Sequence, residues 1–103
     1  MIVKAWINFG NHDGYCFVGI LKDRINIVLS TKNGWSEHSN ISCLPKKLDN
    51  GSTVFCTVVG DKVSCSFTGE NTIMGTWEEN GVVQHFDIDM SPEYSDKPET
   101  GGH

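Results

Sequence analysis

The sequence predicts an all-β domain in which seven or eight antiparallel strands form one meander, closed as a small up-and-down barrel. Strand-like runs recur roughly every ten residues along the chain. The chain has eleven glycines and only three prolines, and no window of about eleven residues shows a helical apolar period. Closing the sheet removes the edges that many short strands would expose. A two-sheet β-sandwich is the alternative, because short alternating strands also fit two packed sheets.

The C-terminal hairpin has the clearest turn signal, the pair Asn80-Gly81. A two-residue type I′ turn needs positive φ at both positions, and Asn-Gly is a preferred sequence for it. This turn places Trp77 opposite Gln84 and Gly75 opposite Phe86 on one mostly apolar side of the sheet. The opposite, solvent-facing side carries Thr76, Glu78, His85, Asp87 and Asp89.

The preceding hairpin is expected to turn at Gly60-Asp61. That turn would place Cys56 directly opposite Cys65, at a separation near the short limit for a disulfide. Two outcomes are open for this pair. The thiols either pack as small apolar groups in the core or form a bridge.

Two tight turns organise the N-terminal half of the chain. The first strand is expected from Ile2 to Phe9, followed by a turn at Asn11 to Gly14. A second turn at Lys22-Asp23 pairs the next two strands through an apolar face. That face contains Cys16, Val18, Ile20, Ile25, Ile27 and Leu29.

A conflict arises at the next turn, Asn33-Gly34. Its register places three polar residues opposite the apolar face, namely His38, Asn40 and Ser42. Either the strand slips or bulges so that Ile41 and Cys43 turn inward, or the polar residues line part of the interior. In the second case, the barrel would enclose a small apolar or amphipathic ligand, and those three residues would supply its polar contacts.

Residues 1–90 are expected to form a single domain, large enough for one modest core. Residues 91–103 combine prolines and glycines with charged residues, which predicts a disordered, polar and acidic tail. The N-terminal residues lack the pattern of an export signal, and no apolar run approaches about 20 residues. We therefore expect a soluble, cytoplasmic protein that does not bind membranes and keeps its cysteines reduced.

Six aromatic residues fall within strand patterns and are expected to build the core. They are Trp6, Phe9, Phe17, Phe67, Trp77 and Phe86. Trp35 is different, because it follows a turn glycine. A large ring at a loop tip either folds back as a lid or is presented to a partner.

The triplet Gly75-Thr76-Trp77, with the tight turn and the strand from Val82 to Met90, resembles the Gly-x-Trp strands of lipocalin and avidin-like barrels. The resemblance covers about a fifth of the chain. It implies a meander barrel of that general kind. In lipocalins this element opens the barrel near the N-terminus, so no ligand-binding residue carries over.

Motifs for catalysis are missing from the sequence. There is no CxxC, HExxH, GxSxG, P-loop or dinucleotide-binding glycine pattern, and the cysteines are spaced too widely for paired zinc ligands. His85, Asp87 and Asp89 share one side of a strand, but alternate residues lie about 7 Å apart and do not converge on one ion. We therefore expect neither enzymatic activity nor a bound metal or cofactor.

Charge is the feature that indicates a class of partner. Residues 1–69 carry a formal charge of +2, whereas residues 70–103 carry −7. An acidic hairpin repels nucleic acid and attracts a basic protein surface. We expect a non-enzymatic binding or regulatory protein that engages a basic protein partner. The residues expected to make this contact are Glu78, Glu79, His85, Asp87, Asp89 and Trp35.

Overall fold

The computed structural model describes residues 1–29 and 40–91, which form eight antiparallel strands closed into a barrel. The strands are β1 (Ile2–Asn8), β2 (Asp13–Ile20), β3 (Ile25–Leu29), β4 (Ile41–Lys47), β5 (Thr53–Cys56), β6 (Lys62–Phe67), β7 (Thr72–Glu79) and β8 (Val82–Asp89). Each strand pairs with the next in sequence, and β8 returns to pair with β1. The predicted meander barrel is confirmed over the alternative sandwich. The predicted tail from residue 92 onward, Trp35 and His38 lie outside the described residues.

The core is a single apolar cluster made by the inward faces of the strands. Seven strands supply fully buried residues to this cluster, and β5 adds the half-buried Phe55. Phe9 packs across one end of the barrel, with its ring centroid 5.6 Å from that of Trp77 and 5.7 Å from that of Phe86. Aromatic pairs at such separations stabilise the fold beyond the area that they bury.

The C-terminal hairpin forms as predicted. Asn80 and Gly81 have φ values of 54° and 81°, as a type I′ turn requires. Trp77 pairs with Gln84 and Gly75 pairs with Phe86. The turn at Lys22-Asp23 is also confirmed, because Val18 pairs with Ile27 and Cys16 with Leu29.

The first turn lies earlier than predicted. β1 ends at Asn8, which pairs with Asp13, and the N–H of Phe9 donates to the carbonyl of His12 at 2.9 Å. The chain therefore reverses at Gly10 and Asn11. Gly10 adopts a φ of 93°, a conformation that glycine reaches without steric cost. Asp13 consequently belongs to β2, on the outside of the barrel.

The register predicted for β5 and β6 is wrong by one residue. Phe55 pairs with Cys65, and Cys56 pairs with Ser64. The cause is Thr57, whose hydroxyl donates to the Asp61 carbonyl at 2.6 Å and accepts from the Val63 N–H at 3.0 Å. A one-residue shift moves Cys56 to the outer face. All four cysteines are free thiols, so the bridge that the sequence left open as one of two outcomes for Cys56 and Cys65 does not form.

The conflict between β3 and β4 is resolved by slippage. Ile25 pairs with Cys43, and Ile27 pairs with Ile41, so the register implied by a tight Asn33-Gly34 turn is wrong. This arrangement buries Ile41 and Cys43. Burial of these two side chains favours the shifted register over one that would bury polar groups.

The aromatic core is smaller than predicted. Trp77 and Phe86 are buried, and Phe9 packs on the cluster. Trp6 and Phe17 instead lie on the outer face, because the inward positions of β1 and β2 are taken by smaller residues such as Ala5, Ile7, Cys16 and Val18. Phe67 is 40% exposed at the end of β6.

Candidate functional site

Carboxylates gather on the outer faces of β7, β8 and β2, and β1, which lies between β8 and β2 in the ring, contributes Asn8. Asp87 pairs with Met74 on one side and with Asn8 on the other, and Asn8 pairs in turn with Asp13. Asp87 and Asp13 are exposed and flank the same asparagine. We call this region, with Glu78 and Asp89, the acidic surface.

Two carboxylates of the acidic surface are held in place by hydrogen bonds. The indole N–H of Trp6 donates to Oδ2 of Asp13 at 3.0 Å. Oδ1 of Asp89 accepts from the backbone N–H of Ser91 at 2.9 Å, and Asp89 itself pairs with Trp6. A carboxylate that is already positioned loses less side-chain entropy when a partner binds.

Exposed apolar side chains lie within the acidic surface. Met74 is 50% exposed and pairs with Asp87, while Val83 is 52% exposed and pairs with Glu78. On its other side Glu78 faces Lys62 of β6, so this basic residue marks one boundary of the surface. Apolar groups surrounded by charged residues are typical of a protein-binding surface.

The structure brings together most of the residues predicted to bind a partner. Glu78, Asp87 and Asp89 share the outer face with the exposed His85. Glu79 points to the other side of the hairpin, because it pairs with Val82 and has the same parity as the buried Trp77.

Asp13 is the residue that sequence reasoning did not assign to this surface. Its position depends on the Gly10 turn and on the closure of β8 against β1. The glycine at position 10 was the available signal, since a turn there moves Asp13 out of the connection and into a strand.

Two of the four thiols, those of Cys16 and Cys65, have raised pKa values. Burial raises the pKa of Cys16 to about 12. The thiol of Cys65 hydrogen-bonds to Cys43, which raises the pKa of Cys65 and lowers that of Cys43. Within residues 1–29 and 40–91, no group of three or more His, Cys, Asp or Glu side chains is arranged to hold a metal ion.

A separate groove of about 310 Å³ lies outside the barrel, beside β4. Asn40 and Ser42, which were expected to face an internal ligand, line this groove together with Arg24. Ser42 pairs with Asn26 on the outer face, whereas the inward positions belong to Ile41 and Cys43. The structure therefore places the two described polar residues of that prediction on the exterior.

Comparison with known proteins found no matching family model, no matching curated protein and no matching solved structure. The part of the chain that the structure describes contains no helix long and apolar enough to cross a membrane.

Proposed function

We propose that this protein is a non-enzymatic binding module, cytoplasmic in location, that engages a basic protein partner through the acidic surface. The observation that carries the proposal is the row formed by Met74, Asp87, Asn8 and Asp13 across four strands. It combines an exposed apolar side chain with two exposed carboxylates.

Electrostatics and burial contribute differently to such contacts. Carboxylates on one face steer a basic partner toward the surface and select against acidic ones. Met74 and Val83 supply apolar area, which a partner would remove from water at about 25 cal/mol per Å². Binding is therefore expected to weaken, but not to vanish, as salt screens the charges.

The test is affinity capture with two charge-matched variants. Glu78→Gln combined with Asp87→Asn removes two charges from the acidic surface without touching the hydrogen-bonded carboxylates Asp13 and Asp89. Asp49→Asn combined with Glu70→Gln removes the same charge from exposed positions elsewhere. We expect the Glu78→Gln, Asp87→Asn variant to fail to capture basic proteins that the wild-type protein and the Asp49→Asn, Glu70→Gln variant both capture.

Identical sets of captured proteins for all three forms would contradict the proposal. Equal loss of partners by both variants would also contradict it, because net charge alone would then explain binding. Circular dichroism and thermal melting on each form check that the barrel is intact.

A carrier that encloses an apolar or amphipathic ligand, as the lipocalin-like resemblance suggests, has less support. The inward side chains of the described strands form one continuous apolar cluster. Barrels of eight strands are just wide enough for side chains to fill them or to hold one small ligand. Asn40 and Ser42, the two described residues among the polar contacts proposed for that ligand, lie at the outer groove.

A further inference from the structure

The hydrogen-bonded wall of the barrel is interrupted beside β4. Residues 41–43 pair with β3, but β4 pairs with β5 only from Leu44 onward. β5 ends at Cys56, and Val58, the residue that would face Ser42 in the same register, is 76% exposed and does not pair with it. Among the described residues, the first part of β4 thus has one strand neighbour, and its other edge faces the groove.

The backbone groups of Ser42 point toward this groove. Successive residues of a strand direct their N–H and C=O groups to alternate sides. Thr57 bonds to β6, so Cys56 must direct its groups to β4, where its partner is Leu44. By the same alternation, Ser42 directs its N–H and C=O to the same side as Leu44.

Pro45 gives independent support for this assignment. Proline has no N–H to donate and is therefore found where the ladder does not need one. By this alternation, the backbone nitrogen and C=O of Pro45 point away from β5 and toward the β3 side. β4 pairs with β3 only as far as Cys43, so the ladder with β3 does not need an N–H from Pro45. Ser42 is thus left with a donor and an acceptor at an open edge.

The side chains around the open edge of β4 determine which kind of ligand would fit the groove. Val58 and Val59 are 76% and 85% exposed and form one wall of the groove. Arg24 lies at the other side, with Nη1 3.5 Å from the hydroxyl of Ser42. A strand edge, an apolar wall and a guanidinium together match an extended peptide that carries a carboxylate.

We propose that the groove binds a short extended peptide, which adds as a strand to β4 at Ser42 and directs a carboxylate to Arg24. Asp61 lines the groove, and its carboxylate accepts from the indole N–H of Trp77 at 3.4 Å. The negative charge of Asp61 disfavours binding of the peptide in the opposite direction, which would place the peptide carboxylate beside Asp61 instead of Arg24. Asp23 contacts Arg24 at 3.3 Å and competes for it, so the contribution of the carboxylate is modest.

The test is an NMR titration with a defined probe, the peptide N-acetyl-Thr-Val-Thr-Val with a free terminal carboxylate, and the same peptide as its amide. Alternating Val and Thr favour an extended strand. We expect amide shifts confined to residues 40–44 and 58–61 on addition of up to about 5 mM peptide, a range suited to weak binding. The carboxylate form should bind about threefold tighter than the amide, and Arg24→Gln should abolish that difference.

Two pairs of variants separate binding from folding. Ser42→Pro removes the N–H at the edge and should prevent binding, whereas Ser42→Ala should retain it. Val59→Asp changes a side chain that is already exposed and should also prevent binding, while Ile2→Asp, at an exposed position of β1 on the opposite side of the ring from β5, should not. Shifts absent at about 5 mM peptide, or located on the acidic surface instead, would overturn the proposal.

Discussion

Gly75 shows how a single residue determines the distance between two strands. A Cβ atom at this position would lie 2.1 Å from the carbonyl oxygen of Ser64 and 2.6 Å from Cβ of Cys65. Both atoms belong to the paired strand β6. Phe86 lies opposite Gly75 on β8, and such a ring covers backbone that a glycine leaves exposed.

Gly75→Ala is therefore expected to destabilise the barrel by about 3 kcal/mol, because the clash is with backbone rather than a flexible side chain. Gly69→Ala is the matched control, since a Cβ there meets nothing within 4 Å. Chemical denaturation of both variants measures the difference. Equal stabilities for the two variants would show that β6 and β7 do not approach closely.

Burial of Cys16 makes the stability of the protein depend on pH. The folded pKa of Cys16, about 12, lies above the ordinary value of 9.0 because burial disfavours the thiolate. A raised folded pKa contributes stability that is fully present below about pH 9 and is lost as pH rises toward 12. We expect a loss of about 1.5 kcal/mol from this group by pH 10.

The measurement is the free energy of unfolding of three proteins between pH 8 and pH 10. Cys16→Ala lowers the stability at every pH, but its decrease with pH should be smaller than that of the wild-type protein. Cys56→Ala retains the Cys16 thiol and should retain the full decrease. Parallel curves for the wild-type protein and Cys16→Ala would refute this role.

At the scale of elements, local turn chemistry predicted some hairpins and not others. The turns at Asn80-Gly81 and Lys22-Asp23 are two residues long, so their sequence fixes the register of the flanking strands. The β5–β6 connection is longer, and its register depends on the hydroxyl of Thr57. A side chain that bonds to backbone groups several residues away is not visible in an alternation pattern.

Thr57→Val should destabilise the protein by about 2 kcal/mol, because it leaves the Val63 N–H and the Asp61 carbonyl without this hydroxyl. Thr57→Ser keeps the hydroxyl and should recover most of that stability. Hydrogen exchange at the Val63 amide reports directly on the bond. Unchanged protection of this amide in Thr57→Val would show that the hydroxyl does not set the connection.

At the scale of the whole molecule, the meander topology places acidic and basic residues on different sides of the barrel. In a meander, strands adjacent in sequence are adjacent in space, so the acidic C-terminal strands were predictable as one surface. Lys46 and Lys47 lie on β4, on the far side of the eight-stranded ring from β8. The contribution of Asp13 was missed because the first turn was placed at residues 11–14, whereas the chain reverses at Gly10 and Asp13 belongs to β2.

The outer groove was also beyond sequence reasoning. Its open edge exists because β5 ends at Cys56, where the chain enters the β5–β6 connection whose register depends on Thr57. The sequence conflict around Asn40 and Ser42 did point to the segment that lines the groove. It could not show that these residues face outward, since the number of residues in the turn decides which face each one takes.

The acidic surface is tested most sharply by the salt dependence of partner binding, measured by calorimetry on a basic protein purified through affinity capture. We predict that Glu78→Gln with Asp87→Asn weakens binding at low salt by about tenfold, and that this difference shrinks as salt increases. Asp49→Asn with Glu70→Gln should bind like the wild-type protein. Equal affinities for both variants at all salt concentrations would contradict the assignment of the acidic surface as the binding site.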